Sequence, residues 1–378
     1  MSIRLKRKEI ASTLLTSVME NRESEWWKEK TYRGRYTLEE TERALDILYS
    51  VFDDDWLKHT LDMWTKQGGP SHALIGMLVP RGSMPLISLV ELGKDLTELR
   101  DLVKYDELIK ELRTPSKFKA ACLESEIAAY CLRSEYSVEL HPRVRGKVPD
   151  LRISTDSEVV FAEVKEMDPG EVLTRYYETA DLVSQLVLHG IPRGTSVEVS
   201  TNVLPNRSEC IPLAQAIHQC LHSRPRDGVA SVKLGRVNAL ISFGKEAYPS
   251  FSLIPPTTLP QVQLKRLSRS IKHEARQIPP PDKGFVVVDA GTLHGLPDKM
   301  VREVAVKTFK KYRLPNIVMA MIVRSYRFWR PKTEAEAIGI SNPYCTDVEL
   351  LTRLNKILAF SRFRAHSKEK ETRGVVFS

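Results

Sequence analysis

The chain has 378 residues, 42% hydrophobic and 28% charged, with a formal net charge of +9 and a pI near 9.2. Composition of this kind excludes disorder, and the length is sufficient for two or three domains. The basic balance points toward polyanions without reaching the extremes of ribosomal or chromatin proteins.

Five cysteines occur, Cys122, Cys131, Cys210, Cys220 and Cys345, with no CxxC pair and no paired histidine spacing. That pattern excludes a structural zinc framework and reads as reduced, mostly buried thiols. The basic start MSIRLKRKEIASTLL reaches no sustained apolar core, and the longest apolar run, 317–323, is far too short to span a bilayer. A cytoplasmic protein with no membrane partner is expected.

In chain order, residues 1–112 read as an α-helical N-terminal domain. Ile10, Leu14, Leu15 and Val18 have helical spacing, and Thr37 followed by Glu40 predicts a capping box opening a helix through Leu48. Trp26, Trp27, Trp56 and Trp64 read as core residues of that domain, and a Gly/Pro-rich interruption falls at 67–85. The texture changes at 113. TPSKFKAACLESEIAAYCLRS reads as one amphipathic helix with Phe118, Cys122, Ile127, Cys131 and Leu132 near its buried side. Strands follow at YSVELHPRV, around Leu151–Ile153 and at Val159–Lys165, then a helix over 170–189. The strand TSVEVSTNV, a helix over 208–222 and the strand VNALISF come next. A helix over 262–278 places Lys265, Arg269, Lys272 and Arg276 in one stripe opposite Leu264, Leu267, Ile271 and Ile278. The strand GFVVVDA, a basic helix over 299–312, the strand NIVMAMIV and the segment RSYRFWRPK complete the series. This alternation predicts an α/β domain over 113–378 with a mixed β-sheet flanked by helices.

The stretch PDLRISTDSEVVFAEVKE, 149–166, carries the chemistry. Side chains alternate along a strand, so Glu163 and Lys165 project from one face while Val160, Ala162 and Val164 share the other. A hairpin between the two strands would bring Asp150 beside Glu163. Hydrolysing a phosphodiester calls for a divalent cation to offset phosphate charge, and Mg²⁺ takes oxygen ligands from one or two carboxylates. Asp150, Glu163 and the Val164 carbonyl fit as ligands, with Glu124 as a third carboxylate. Lys165 fits as the group that orients water and stabilises developing charge. Glu126 is the rival of Glu124, which is preferred because it lies four residues before Ala128 and eight before Leu132. Glu166 and Asp168 read as solvated.

Glu124, Pro149-Asp150 and Glu163-Val164-Lys165, in the order helix–strand–strand–strand–helix over 113–190, resemble the PD-(D/E)xK nuclease superfamily, the restriction-endonuclease-like fold. The resemblance implies a catalytic set of Glu124, Asp150, Glu163 and Lys165, a Mg²⁺ cofactor for which Mn²⁺ substitutes, and DNA, less often RNA, as substrate. Gln185, on the helix after the lysine, matches a glutamine that some relatives carry there. The expected function is a Mg²⁺-dependent endonuclease in restriction, defence or repair, acting on double-stranded DNA. Cutting both strands of a duplex fits a homodimer. The alternative is a nucleic-acid-binding or assembly subunit that keeps the fold without cutting. Nucleic-acid contact is expected from Lys265, Arg269, Lys272 and Arg276 on the basic helix, and from Arg324, Arg327 and Arg330 in the aromatic-interleaved segment.

Overall fold

A computed structural model of the chain describes residues 37–67, 72–74, 83–154, 158–167, 170–223, 228–245, 249–254, 256, 258–293, 296–324, 337–345, 347, 350 and 354. The predicted helix at 10–18, Trp26, Trp27, Asp168, Arg327, Trp329 and Arg330 lie outside these residues, as does the side chain of Trp64.

Thr37 opens helix α1 (Leu38–Val51) with the reciprocal cap its spacing from Glu40 predicts. The Glu40 N–H donates to Thr37 Oγ1 at 3.1 Å, and the Thr37 N–H donates to the Glu40 carboxylate at 2.8 Å. Helices α2 (Asp54–Gln67), α3 (Ser83–Leu99) and α4 (Tyr105–Leu112) follow. Trp56 fills core space as expected, its ring 4.9 Å from Phe52 and 4.8 Å from His72. Burial holds His72 neutral, with its acidity shifted to about 4. Its Nδ1 accepts the Leu74 N–H, so Nε2 carries the proton and donates to the Leu112 carbonyl at 2.9 Å.

Gly93 sets how closely α3 lies on α1. A Cβ there would stand 2.2 Å from the Ala44 carbonyl oxygen and 2.7 Å from its carbon. Backbone cannot swing aside as a flexible side chain does, so Gly93→Ala is expected to cost about 1–3 kcal/mol. The reading is a lower urea midpoint, and an unchanged midpoint would show that α1 shifts without loss.

Helix α5 (Phe118–Arg133) departs from the amphipathic pattern. Besides Phe118, Cys122, Ile127 and Cys131, it buries Leu123, Glu124, Ser125 and Glu126, which makes it a central helix covered nearly all round. The reason is that α5 has two partners. Leu45, Phe52, Leu96 and Leu112 of the preceding helices join Phe118, Leu123 and Ile127, and these join Leu140, Leu151, Ala162 and Val164 of the sheet, in one buried cluster. The chain divides into two compact units, residues 1–167 with 267–378, and residues 168–266. This partition differs from a boundary at 112, because the N-terminal helices share their core with α5 and the strands after it.

The first unit holds a six-stranded mixed sheet in the order β1 (Ser137–Leu140), β2 (Leu151–Ser154), β3 (Val159–Glu166), β8 (Gly284–Asp289), β9 (Ile317–Val323), β10 (Ala337–Ser341). β1, β2 and β3 form an antiparallel meander, β3–β8–β9 run parallel, and β10 closes the edge antiparallel. β8 and β9 are buried at every position, the pattern of parallel strands covered on both faces. The second unit, from helix α6 (Gly170–Leu188) onward, has its own four-stranded mixed sheet, in the order β5 (Gly228–Leu234), β6 (Val237–Lys245), β4 (Thr195–Thr201), β7 (Ser250–Ile254). Helix α7 (Arg207–Ser223) shares its core, where Val183, Val187, Leu213 and Ile217 meet Val197, Val199 and Ile241. Sequence patterning finds β4 and β6 but misses β5, β7 and β10, of which β7 and β10 are short and β5 opens on glycine.

Helix α8 (Thr258–Ala275) starts four residues before the expected position and ends three before it. Its Leu264, Leu267 and Ile271 are buried as predicted. Helix α9 is Asp298–Tyr312. All five cysteines are free, with Cys122, Cys131 and Cys210 buried. No helix among the described residues is long and apolar enough to cross a membrane.

Candidate active site

The β2–β3 hairpin forms in the register that brings the predicted carboxylates together. Leu151 pairs with Ala162 and Arg152 with Phe161, so the next position down the antiparallel ladder sets Asp150 opposite Glu163. The Val164 N–H donates to Asp150 Oδ2 at 2.7 Å. Asp150 is also anchored through its backbone, its carbonyl accepting the His141 N–H at 2.7 Å.

Glu163 is 4% exposed, and its Oε1 has no hydrogen-bond partner. Desolvation pushes its carboxyl far above the usual range, and the charge of Asp150 adds to that push. Desolvation likewise raises Asp150, partly offset by the Val164 N–H. The pair hydrogen-bonds side chain to side chain, with Glu163 as the protonated partner. Two carboxyls facing each other in a low dielectric cannot both ionise without a compensating cation.

Glu124 joins this pair from α5. It is 2% exposed and raised well above the ordinary carboxylate range, first by burial, then by Asp150 and Glu111. Its own charge in turn raises Glu163. Glu126, also buried, instead acts on Cys122, whose thiol burial has already pushed upward. Between the two rivals, Glu124 is the acid in the field of Asp150 and Glu163. Lys165 shares the Glu163 face but is exposed, and among the described residues it makes no ion pair with either carboxylate. Gln185 belongs to the second unit, where its amide donates to Asp181 at 2.8 Å. Glu166 is not solvated as expected, because it is paired with Lys119 at 2.7 Å.

Four further residues escape the motif. Glu111, at the end of α4, raises both Asp150 and Glu124. Lys117, just before α5, donates to Glu111 and is held protonated by Glu111, Asp150 and Glu124. His141 follows β1, its Nε2 3.7 Å from Glu124 Oε1. Glu274 of α8 is 6% exposed and raises both Asp150 and Glu163. Of these only Glu274 leaves a trace in the sequence, as a lone acid in the basic stretch KRLSRSIKHEAR. An acid in such company is best explained by burial against something that uses it.

The basic candidates divide. Lys265, Arg269 and Arg276 are exposed, and Lys272 lies over the Tyr312 ring with Nζ 4.3 Å from its centroid. Arg324 is not available to phosphate. It is 3% exposed and donates to Asp298 at 2.6 Å and to the Leu296 carbonyl, because β9 carries it into the interior.

No family model matches the chain, and no curated protein or solved structure matches it.

Proposed function

We propose that this chain is a divalent-cation-dependent nuclease of the restriction-endonuclease-like kind, acting on DNA. The observation that carries the reading is the register placing Asp150 opposite Glu163 across the β2–β3 hairpin, with Glu163 Oε1 buried and unpartnered. Such a pair fits a hard cation, since a bound ion supplies the charge compensation that the buried carboxyls lack. The helix–strand–strand–strand order around them, followed by parallel β8, supports the same reading.

Asp150, Glu163 and the Val164 carbonyl would hold Mg²⁺ or Mn²⁺, with Glu124 as the third carboxylate. The chemistry such an ion supplies is charge neutralisation at the phosphate and acidification of water. The Val164 N–H keeps the Asp150 carboxylate in place through its 2.7 Å bond. Glu163 gives up its proton when the site is loaded, and Glu274 biases the pair toward cation capture by adding negative potential. Lys165, exposed on the Glu163 face, would meet a substrate phosphate. Arg269 and Arg276 offer sequence-independent backbone contacts. The rival reading, a binding subunit that does not cut, draws on the lack of any ion pair between Lys165 and the carboxylates.

Supercoiled, linear and single-stranded DNA incubated with Mg²⁺ or Mn²⁺ separate the two. Cleavage is expected with wild type, abolished in Asp150→Ala and reduced about 10²–10³-fold in Lys165→Ala, the size of effect seen when one charge-stabilising donor is removed. No cleavage by wild type, with DNA binding equal in all three proteins, would establish the binding subunit instead.

A further inference from the structure

Glu111, Glu124 and His141 present one ligand atom each, all within 4.8 Å of one another. We propose that they form a second cation site, beside the Asp150–Glu163 pair and sharing Glu124 with it, that takes a transition-metal dication of the Mn²⁺, Co²⁺ or Zn²⁺ class. The proposal does not require the chain to cut DNA.

Two orphaned atoms point into this cluster. Glu124 Oε1 and His141 Nε2 are buried with no hydrogen-bond partner, on side chains 2% and 6% exposed. They face each other at 3.7 Å, beyond hydrogen-bonding reach. Two ligand atoms of one tetrahedrally held ion of this class stand about 3.4 Å apart. The triad therefore needs only a small side-chain adjustment to close on one ion. An imidazole nitrogen beside two carboxylates selects transition metals over Mg²⁺, which prefers oxygen and keeps its waters.

His141 is held for the task. Its backbone adopts φ +45°, an uncommon conformation for a residue with a side chain. Its N–H donates to the Asp150 carbonyl, and its own carbonyl accepts the Lys104 ammonium. These bonds hold the backbone that carries the imidazole at the end of β1. In the structure the charge opposite Glu111 is the Lys117 ammonium. The Lys117 side chain is 55% exposed, so it can swing outward when a dication enters.

The test is titration of the metal-stripped full chain with Co²⁺, read by calorimetry and by visible d–d absorption. Wild type is expected to bind Co²⁺ with absorption bands shaped by a nitrogen ligand. His141→Asn, which tolerates the left-handed backbone, and Glu111→Gln are each expected to weaken that binding at least tenfold, since losing even an outer-shell partner costs about 10–100-fold. Asp150→Asn should retain the His141-dependent bands. Lys117→Ala should tighten binding, because a competing cation is gone. Each variant's metal-free melting curve reports whether it folds, and with two ligand variants one misfolded protein leaves the other decisive. Equal affinity in wild type, His141→Asn and Glu111→Gln would overturn the proposal and reduce the cluster to an internal ion-pair network. Co²⁺ bands lost only in Asp150→Asn would also overturn it while leaving the nuclease reading intact, and Mg²⁺-dependent cleavage decides that reading separately.

Discussion

Replacing Glu163 with glutamine is expected to abolish cleavage and, at the same time, raise the melting temperature of the metal-free protein. The two effects share one cause. Glu163 is 4% exposed, faces Asp150 across the hairpin, and lies in the added negative field of Glu274 and Glu124. Without a cation this arrangement destabilises the folded chain, because burial forces Glu163 to hold a proton that the unfolded chain releases at neutral pH. A glutamine amide donates to Asp150 as the protonated carboxyl does, without that protonation cost. The gain should be about 1–2 kcal/mol, read as a rise of about 2–6 °C. Cleavage should fall about 10³-fold or more, since the loss removes an anionic ligand of the ion that neutralises the phosphate. Mg²⁺ should raise the wild-type melting temperature by mass action and that of Glu163→Gln much less. A glutamine variant that melts lower than wild type and still cuts would sink the assignment of Glu163 as a strained metal ligand.

The metal-free protein is expected to lose stability as pH rises from about 4 toward 8, the reverse of ordinary acid denaturation. Asp289, 4% exposed at the end of β8, is raised to about 6, first by burial and then by Glu166, while Lys119 and the Gly291 N–H work against the shift. Asp150, Glu163 and Glu124 are raised as well. A carboxyl whose folded pKa lies above its unfolded value binds more protons when folded. Its contribution is therefore present at low pH and lost as pH climbs through the folded pKa. For Asp289 the shift corresponds to roughly 2–3 kcal/mol. His72 works in the opposite direction. Its folded value near 4 lies below the ordinary imidazole value, so it destabilises the fold below about pH 6.5. His141, lowered first by burial, acts the same way, but the four raised carboxyls outnumber the two histidines, so the net slope falls with pH. Thermal melts in a chelating buffer from pH 5 to 8 check this. Asp289→Asn should flatten the slope, and Mg²⁺, which the nitrogen-containing cluster disfavours, should restore stability at pH 8 through the Asp150–Glu163 pair. A curve that rises between pH 5 and 8 in chelator would show that the buried carboxyls are compensated by some group other than a metal.

The features legible in the chain alone are local. The Thr37–Glu40 cap, the β2–β3 hairpin and the shared face of Glu163 and Lys165 all follow from spacings of a few residues, because capping and strand alternation are decided within one turn or one pleat. The opposition of Asp150 and Glu163 was legible for the same reason, since the apolar pattern leaves a hairpin one workable register. Tertiary structure decided the rest. It enclosed α5 on nearly every side, and so turned an amphipathic pattern into a core helix and Glu124 into a buried acid. It also carried Arg324 out of the basic surface and into the pairing with Asp298. Glu111, His141 and Glu274 are far apart in the chain, in α4, after β1 and in α8. They reach the same charge cluster only because the antiparallel meander and α8 fold onto one unit. No periodicity encodes that meeting, because it depends on packing between elements rather than on the repeat within any one of them.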